Sequence, residues 1–99
     1  MNITYQLQGI LFEWNETKAK INIRKHGVTF EEAAEVFFDP FYQTGDASTD
    51  EGEARDFIIG YTFFQRLLLA VYTERGARTR IISARPATRA ERKVYEEAN

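Results

Sequence analysis

Arg85 and Arg89 stand on either side of Thr88 in the stretch SARPATRAERK (83–93), where Thr88 and Glu91 form the T-x-x-E pair that opens a helix. The free backbone N–H groups and the positive dipole end at such a start favour an anion. An arginine there makes two parallel hydrogen bonds to phosphate oxygens and keeps its charge at any working pH. Arg85 and Arg89 therefore suit a phosphate clamp. The competing reading pairs Arg85 with an acid of the 31–56 stretch. His26, beside Lys25 in the run RKHG (24–27), is the other reactive candidate, since histidine exchanges a proton near neutral pH and serves as general acid or base. A histidine at a helix end also serves the last carbonyls of that helix, and the sequence leaves both roles open.

Other chemistries lack their residues. With one histidine, no cysteine and no H-E-x-x-H, only a carboxylate metal site is conceivable, and the acids at 46, 50, 51 and 53 do not follow the calcium-loop spacing. Neither G-x-x-x-x-G-K-[ST] nor G-x-G-x-x-G occurs, and nothing like a nucleophile elbow surrounds Ser48 or Ser83. No metal and no cofactor is expected. The absence of cysteine removes any need for an oxidising compartment, and the start MNITYQLQGILFEW lacks the basic and long apolar regions of a secretory signal. A cytoplasmic protein without a membrane span is the expectation.

Ninety-nine residues with 43% hydrophobic and 14% aromatic content suit one domain. The net charge of −2 conceals a bipolar chain: residues 31–56 hold nine acids and one base, Arg55, whereas residues 75–93 hold seven bases and one acid, Glu91. Binding to phosphate depends on the local set of Lys and Arg, so an even overall charge does not exclude a nucleic-acid ligand. A solvated surface is the plainer alternative.

These residues must be positioned by short elements. ILFEW (10–14) reads as a strand, and a helix is predicted over 16–26, with Asn15 as N-cap and Gly27 at its left-handed end. Thr29 and Glu32 form another capping box for a helix over 30–38 that stops at Asp39-Pro40 and turns Phe30, Ala33, Ala34 and Phe37 to the core. Residues 44–54 read as a loop, with an additional edge strand allowed near 41–45. The β-rich runs 55–64, 66–74 and 78–85 suit an antiparallel meander whose middle strand is buried on both faces. Regular alternation puts Ser83 and Arg85 with Ile81, and Arg78 and Arg80 on the opposite face beside Ile82. The last helix begins at Thr88 and carries Arg89, Arg92 and Lys93 on one stripe. The order β-α-α-β-β-β-α defines an α+β domain, a small, mainly antiparallel sheet with helices packed on it.

The blocks FEWNETKAKINIRKHGVTFEEAAEVFFDP (12–40), EGEARDFIIG (51–60), RLLLAVYTERGARTRIISAR (66–85) and ATRAERKVYEE (87–97) together resemble the BrnT family of type II toxins. The resemblance covers about 12–97 and leaves out the first nine residues. It implies a RelE-like fold and a metal-independent endoribonuclease that blocks translation. It also implies a BrnA-like ribbon-helix-helix antitoxin, a toxin–antitoxin heterotetramer, and promoter DNA contacted only through the antitoxin. Within that implication Arg85 stabilises charge on the scissile phosphate, Lys25, Arg66 and Arg89 position phosphates, and His26 is the acid or base with Glu32 as a weaker carboxylate base. Arg92 joins the RNA-binding set, and Tyr72 or Trp14 stacks on a base. Pro86 departs from the pattern, standing where family members often carry a second basic residue. A non-catalytic module binding RNA or protein through the same surface is the alternative.

Overall fold

The computed structural model describes residues 1–49, 52 and 54–98. Strands β1 (Asn2–Leu7) and β2 (Ile10–Asn15) are followed by helices α1 (Glu16–His26) and α2 (Phe30–Glu35) and a 3₁₀ turn (Val36–Phe38). Strands β3 (Gln43–Asp46), β4 (Asp56–Tyr61), β5 (Leu67–Arg75) and β6 (Arg78–Pro86) and helix α3 (Arg89–Glu97) complete the chain. The strands form one six-stranded sheet, ordered β1-β2-β6-β5-β4-β3, antiparallel except where β2 runs parallel to β6. This is the expected α+β class. Asp50, Glu51 and Glu53 of the acidic stretch lie outside the described residues.

Local chemistry accounts for the helix boundaries. Asn15 Oδ1 accepts the Lys18 backbone N–H at 3.0 Å, and Gly27, at φ 65°, ends α1 in the left-handed region that costs glycine little. Thr29–Glu32 and Thr88–Glu91 form complete capping boxes, each saturating orphan N–H groups at a helix start.

Two apolar clusters lie on opposite faces of the sheet. Phe12, Trp14, Ile58, Leu68, Ala70, Ile81 and Ala84 pack beneath α1 and α2 with Val28, Phe30, Ala33 and Ala34, whereas Ile59, Leu67 and Leu69 pack with Tyr95 of α3 on the other face. Strand β5 lies between β4 and β6 and supplies both clusters, as its run of apolar residues requires.

Two features differ from the sequence reading. First, residues 2–7 form β1, joined to β2 through Gln8 and Gly9, whose φ values of 47° and 84° suit the tight turn of a twisted hairpin. Second, β6 does not alternate regularly. Val71 faces Ser83 and Tyr72 faces Ile81, so Ile82 is an extra residue in the ladder. The bulge reverses the expected facing: Ile81 joins the helix-covered core, while Arg80, Ser83 and Arg85 share the opposite face with Thr73, Val71 and Leu69. There Arg80 donates to Glu13 Oε2 at 2.8 Å, and Arg78 reaches Glu13 Oε1 at 3.5 Å. The hydrogen bond from Arg80 chiefly holds the Glu13 carboxyl below its ordinary pKa.

Candidate functional site

Strands β2 and β6 pair only over Leu11–Glu13 and Arg78–Arg80. Beyond that point the edge of β6 is taken over by α1. Asn22, 5% exposed, donates through Nδ2 to the carbonyls of Ala84 (2.8 Å) and Val28 (3.0 Å), and its Oδ1 accepts the Ala84 N–H at 3.1 Å. One side-chain amide thus does for Ala84 what a neighbouring strand would do. Lys25 and His26 lie one helical turn past Asn22, on the same side of α1. Both are exposed, and with Lys18, Asn22, Ile82 and Ser83 they line a shallow cavity of about 170 Å³. Among the described residues, neither Lys25 nor His26 makes a side-chain hydrogen bond or ion pair, so both present free polar groups there.

Arg66 borders this region. It precedes β5 and donates through Nη1 to Glu32 Oε2 at 2.8 Å and to the Gly27 carbonyl at 3.3 Å, linking the end of α1 to the start of α2. The other carboxylate oxygen of Glu32 accepts the Thr29 N–H of the capping box at 3.2 Å. Both oxygens of Glu32 are therefore engaged in structure.

Arg85 leaves the sheet just ahead of α3, as its place before Thr88 suggested. Its two terminal nitrogens meet the two oxygens of Glu91 at 2.7 and 2.8 Å, and the same Glu91 accepts the Thr88 N–H at 2.9 Å. The partner acid comes from α3 and not from residues 31–56. The hydrogen bonds from Arg85 hold the Glu91 carboxyl below its ordinary pKa, outweighing burial, while Glu91 raises that of Arg85. Arg89, on the first turn of α3, is exposed; Arg92 is exposed too and donates to the Tyr61 hydroxyl at 3.0 Å.

The fold thus collects Lys25, His26, Arg66 and Glu32 around the end of α1, with Ser83 in the same cavity as Lys25 and His26, whereas Arg85, one residue past the Asn22–Ala84 contact, turns to the other face of the sheet and to Glu91. It does not bring Tyr72 or Trp14 to this place. Tyr72 packs edge-to-face on Phe37 at 5.0 Å against the helix-covered core, and Trp14 is 2% exposed within it. Sequence reasoning missed Asn22 and placed Ser83 with Ile81. The signal for Asn22 was an asparagine in mid-helix, on the same stripe as Ala19, where only a buried partner compensates its poor helix propensity.

Among the described residues no group of three or more His, Asp or Glu side chains stands close enough to hold a metal ion, and no helix is long and apolar enough to cross a membrane.

The architecture defines a small α+β protein whose mixed sheet carries a basic cleft at the junction of α1 and β6. The chain belongs to the BrnT family: a family model described as "Ribonuclease toxin, BrnT, of type II toxin-antitoxin system" matches residues 14–91. The fold is similar to the crystal structure of the Brucella abortus ribonuclease toxin BrnT, with a TM-score of 0.61 and 23% sequence identity over 77% of this chain and 94% of that one. No curated relative matches.

Proposed function

We propose that this chain is a metal-independent endoribonuclease that cleaves RNA by attack of a 2′-OH on the adjacent phosphorus, and that it blocks translation in the cytoplasm by doing so. The observation that supports the reading most is the unpaired Lys25–His26 pair beside Ser83 in one cavity, with Arg85 two residues further along β6, past the Asn22–Ala84 contact.

The attack forms a bond between the 2′-oxygen and phosphorus and breaks the bond to the 5′-oxygen. One proton leaves the 2′-OH and one reaches the departing 5′-oxygen; the products are a 2′,3′-cyclic phosphate and a 5′-hydroxyl. His26 is suited to one of these transfers, a contribution of about 10²–10⁴-fold. Lys25, Arg66 and Arg89 supply positive charge for the phosphates, with Arg92 further along α3. Arg85 stabilises the charge gathering on the non-bridging oxygens, and Glu91 fixes the plane in which its guanidinium lies. Glu32, with both oxygens bonded, orients Arg66 and is the weaker choice for a base.

The family implies an antitoxin partner. We propose that it is of the ribbon-helix-helix class, that it assembles with the toxin as a heterotetramer, and that it alone contacts promoter DNA. A binding module without turnover is the second reading, favoured by the full engagement of Arg85 with Glu91. Mapping the ends of RNA fragments distinguishes the two. The ribonuclease reading predicts 2′,3′-cyclic phosphate and 5′-hydroxyl termini that vanish with His26→Ala; fragments with 5′-phosphate termini would contradict it.

A further inference from the structure

We infer that Asn22 is the positioning residue of the cleft, setting the separation between the Lys25–His26 turn of α1 and the Ser83–Arg85 end of β6. The inference rests on the ribonuclease reading.

Three contacts decide the orientation of the amide. Nδ2 faces two carbonyls, of Val28 and Ala84, and Oδ1 faces one N–H, of Ala84; the reversed amide would set its oxygen against both carbonyls. The side chain therefore has one satisfied arrangement. Through it three segments that carry or flank the cleft are fixed together: α1, the link past Gly27 and the end of β6. Ala84 is where β2 no longer supports β6, since their pairing stops at Arg80. Without the amide, the Ala84 N–H and carbonyl lose their ladder partner. Ser83 and Arg85, on either side of Ala84, would then lose their fixed distance from Lys25 and His26. Proton transfer and charge stabilisation fall steeply with such drift, about 10²-fold for a displacement of an ångström. Asn22 has no free polar atom to offer substrate, so its effect is on geometry.

Single-turnover cleavage of a labelled RNA tests this, alongside RNA retention at low salt. Asn22→Leu, matched in size and unable to bond, is compared with Ile58→Val, which disturbs the same core away from the cleft. The expected result is a fall of about 10²-fold in the cleavage step of folded Asn22→Leu, with RNA retention within about threefold of wild type. Ile58→Val cleaves as wild type does. If Asn22→Leu does not fold, Asn22→Asp takes its place: it keeps the acceptor for the Ala84 N–H, and its carboxyl donates to a carbonyl only when protonated. Its cleavage rate relative to wild type then rises as pH falls.

An unchanged rate in folded Asn22→Leu, an equal loss in Ile58→Val, or a pH-independent ratio for Asn22→Asp overturns the inference while the ribonuclease reading stands. A wild type that does not cleave overturns both.

Discussion

Arg85 and Glu91, six residues apart, hold each other through two parallel hydrogen bonds of 2.7 and 2.8 Å, and the same carboxylate closes the Thr88 capping box. One acid therefore joins the end of β6 to the start of α3 and fixes the arginine nearest the helix N-terminus. Glutamine still closes the box but cannot form the ion pair, so Glu91→Gln is expected to lower stability by at most about 1 kcal/mol. Glu91→Ala loses both roles and costs about 1–2 kcal/mol. Urea unfolding measures both; a Glu91→Gln protein as stable as wild type would show that the ion pair contributes nothing.

Acid stability follows from the same carboxylate. Glu91 is held below its ordinary value of 4.5, first by the Arg85 hydrogen bonds, and Glu13 is held below the same value first by Arg80. Carboxyls depressed in the folded state contribute stability that is fully present above the unfolded value and lost as pH falls through the folded one. Unfolding free energy should therefore be level from neutrality to about pH 5 and decline below 4.5, and Glu91→Gln should flatten part of that decline. An identical acid slope in the variant would count against the pair.

Tyr95 anchors α3 to the fold. Its hydroxyl donates to Asp39 Oδ2 at 2.6 Å, and Asp39 also accepts the Tyr61 and Phe41 N–H groups, each at 2.8 Å. Burial pushes the Tyr95 phenol above its ordinary value, with the Asp39 bond adding to the shift; burial alone would raise Asp39, but its three hydrogen bonds bring that carboxyl down. Tyr95→Phe is expected to cost about 1–3 kcal/mol. A phenol raised in the folded state stabilises below its unfolded value, so wild type should also lose stability above about pH 10 and Tyr95→Phe should lose less. Denaturant titrations at pH 7 and 10.5 measure both effects.

Tyr72 is half-buried and packs against the core. Its ring packs on Phe37, and removing it should cost about 3 kcal/mol, whereas Tyr72→Phe should keep nearly full stability and unchanged RNA retention. A severalfold loss of retention in folded Tyr72→Phe would show that the hydroxyl reaches RNA.

Much of this arrangement was legible in the sequence because its signals are local. Asn15 and Gly27 marked both ends of α1, two T-x-x-E pairs marked α2 and α3, and the unbroken apolar run of β5 revealed a strand covered on both faces. What escaped depends on partners distant in the chain. Alternation alone gives no sign that Ile82 is the extra residue of a bulge, so Arg80 and Arg85 were assigned to opposite faces. The parallel pairing of β2 with β6 joins residues 67 positions apart, and the replacement of β2 by Asn22 joins residues 62 positions apart. Residue type alone singles out Lys25, His26 and Arg85 as candidates, but the bond from Arg85 to Glu91 is hidden because the capping box already accounts for that acid.

Metal-independent cleavage of RNA by this chain is the activity on which the proposed function stands. Its most direct test is digestion of a labelled RNA by the purified protein in excess EDTA, beside His26→Ala and Arg85→Ala proteins shown to be folded. Wild type is expected to cleave and both variants to lose cleavage, with RNA retention reduced only modestly. An intact RNA after incubation with wild type, with and without ribosomes, would contradict it.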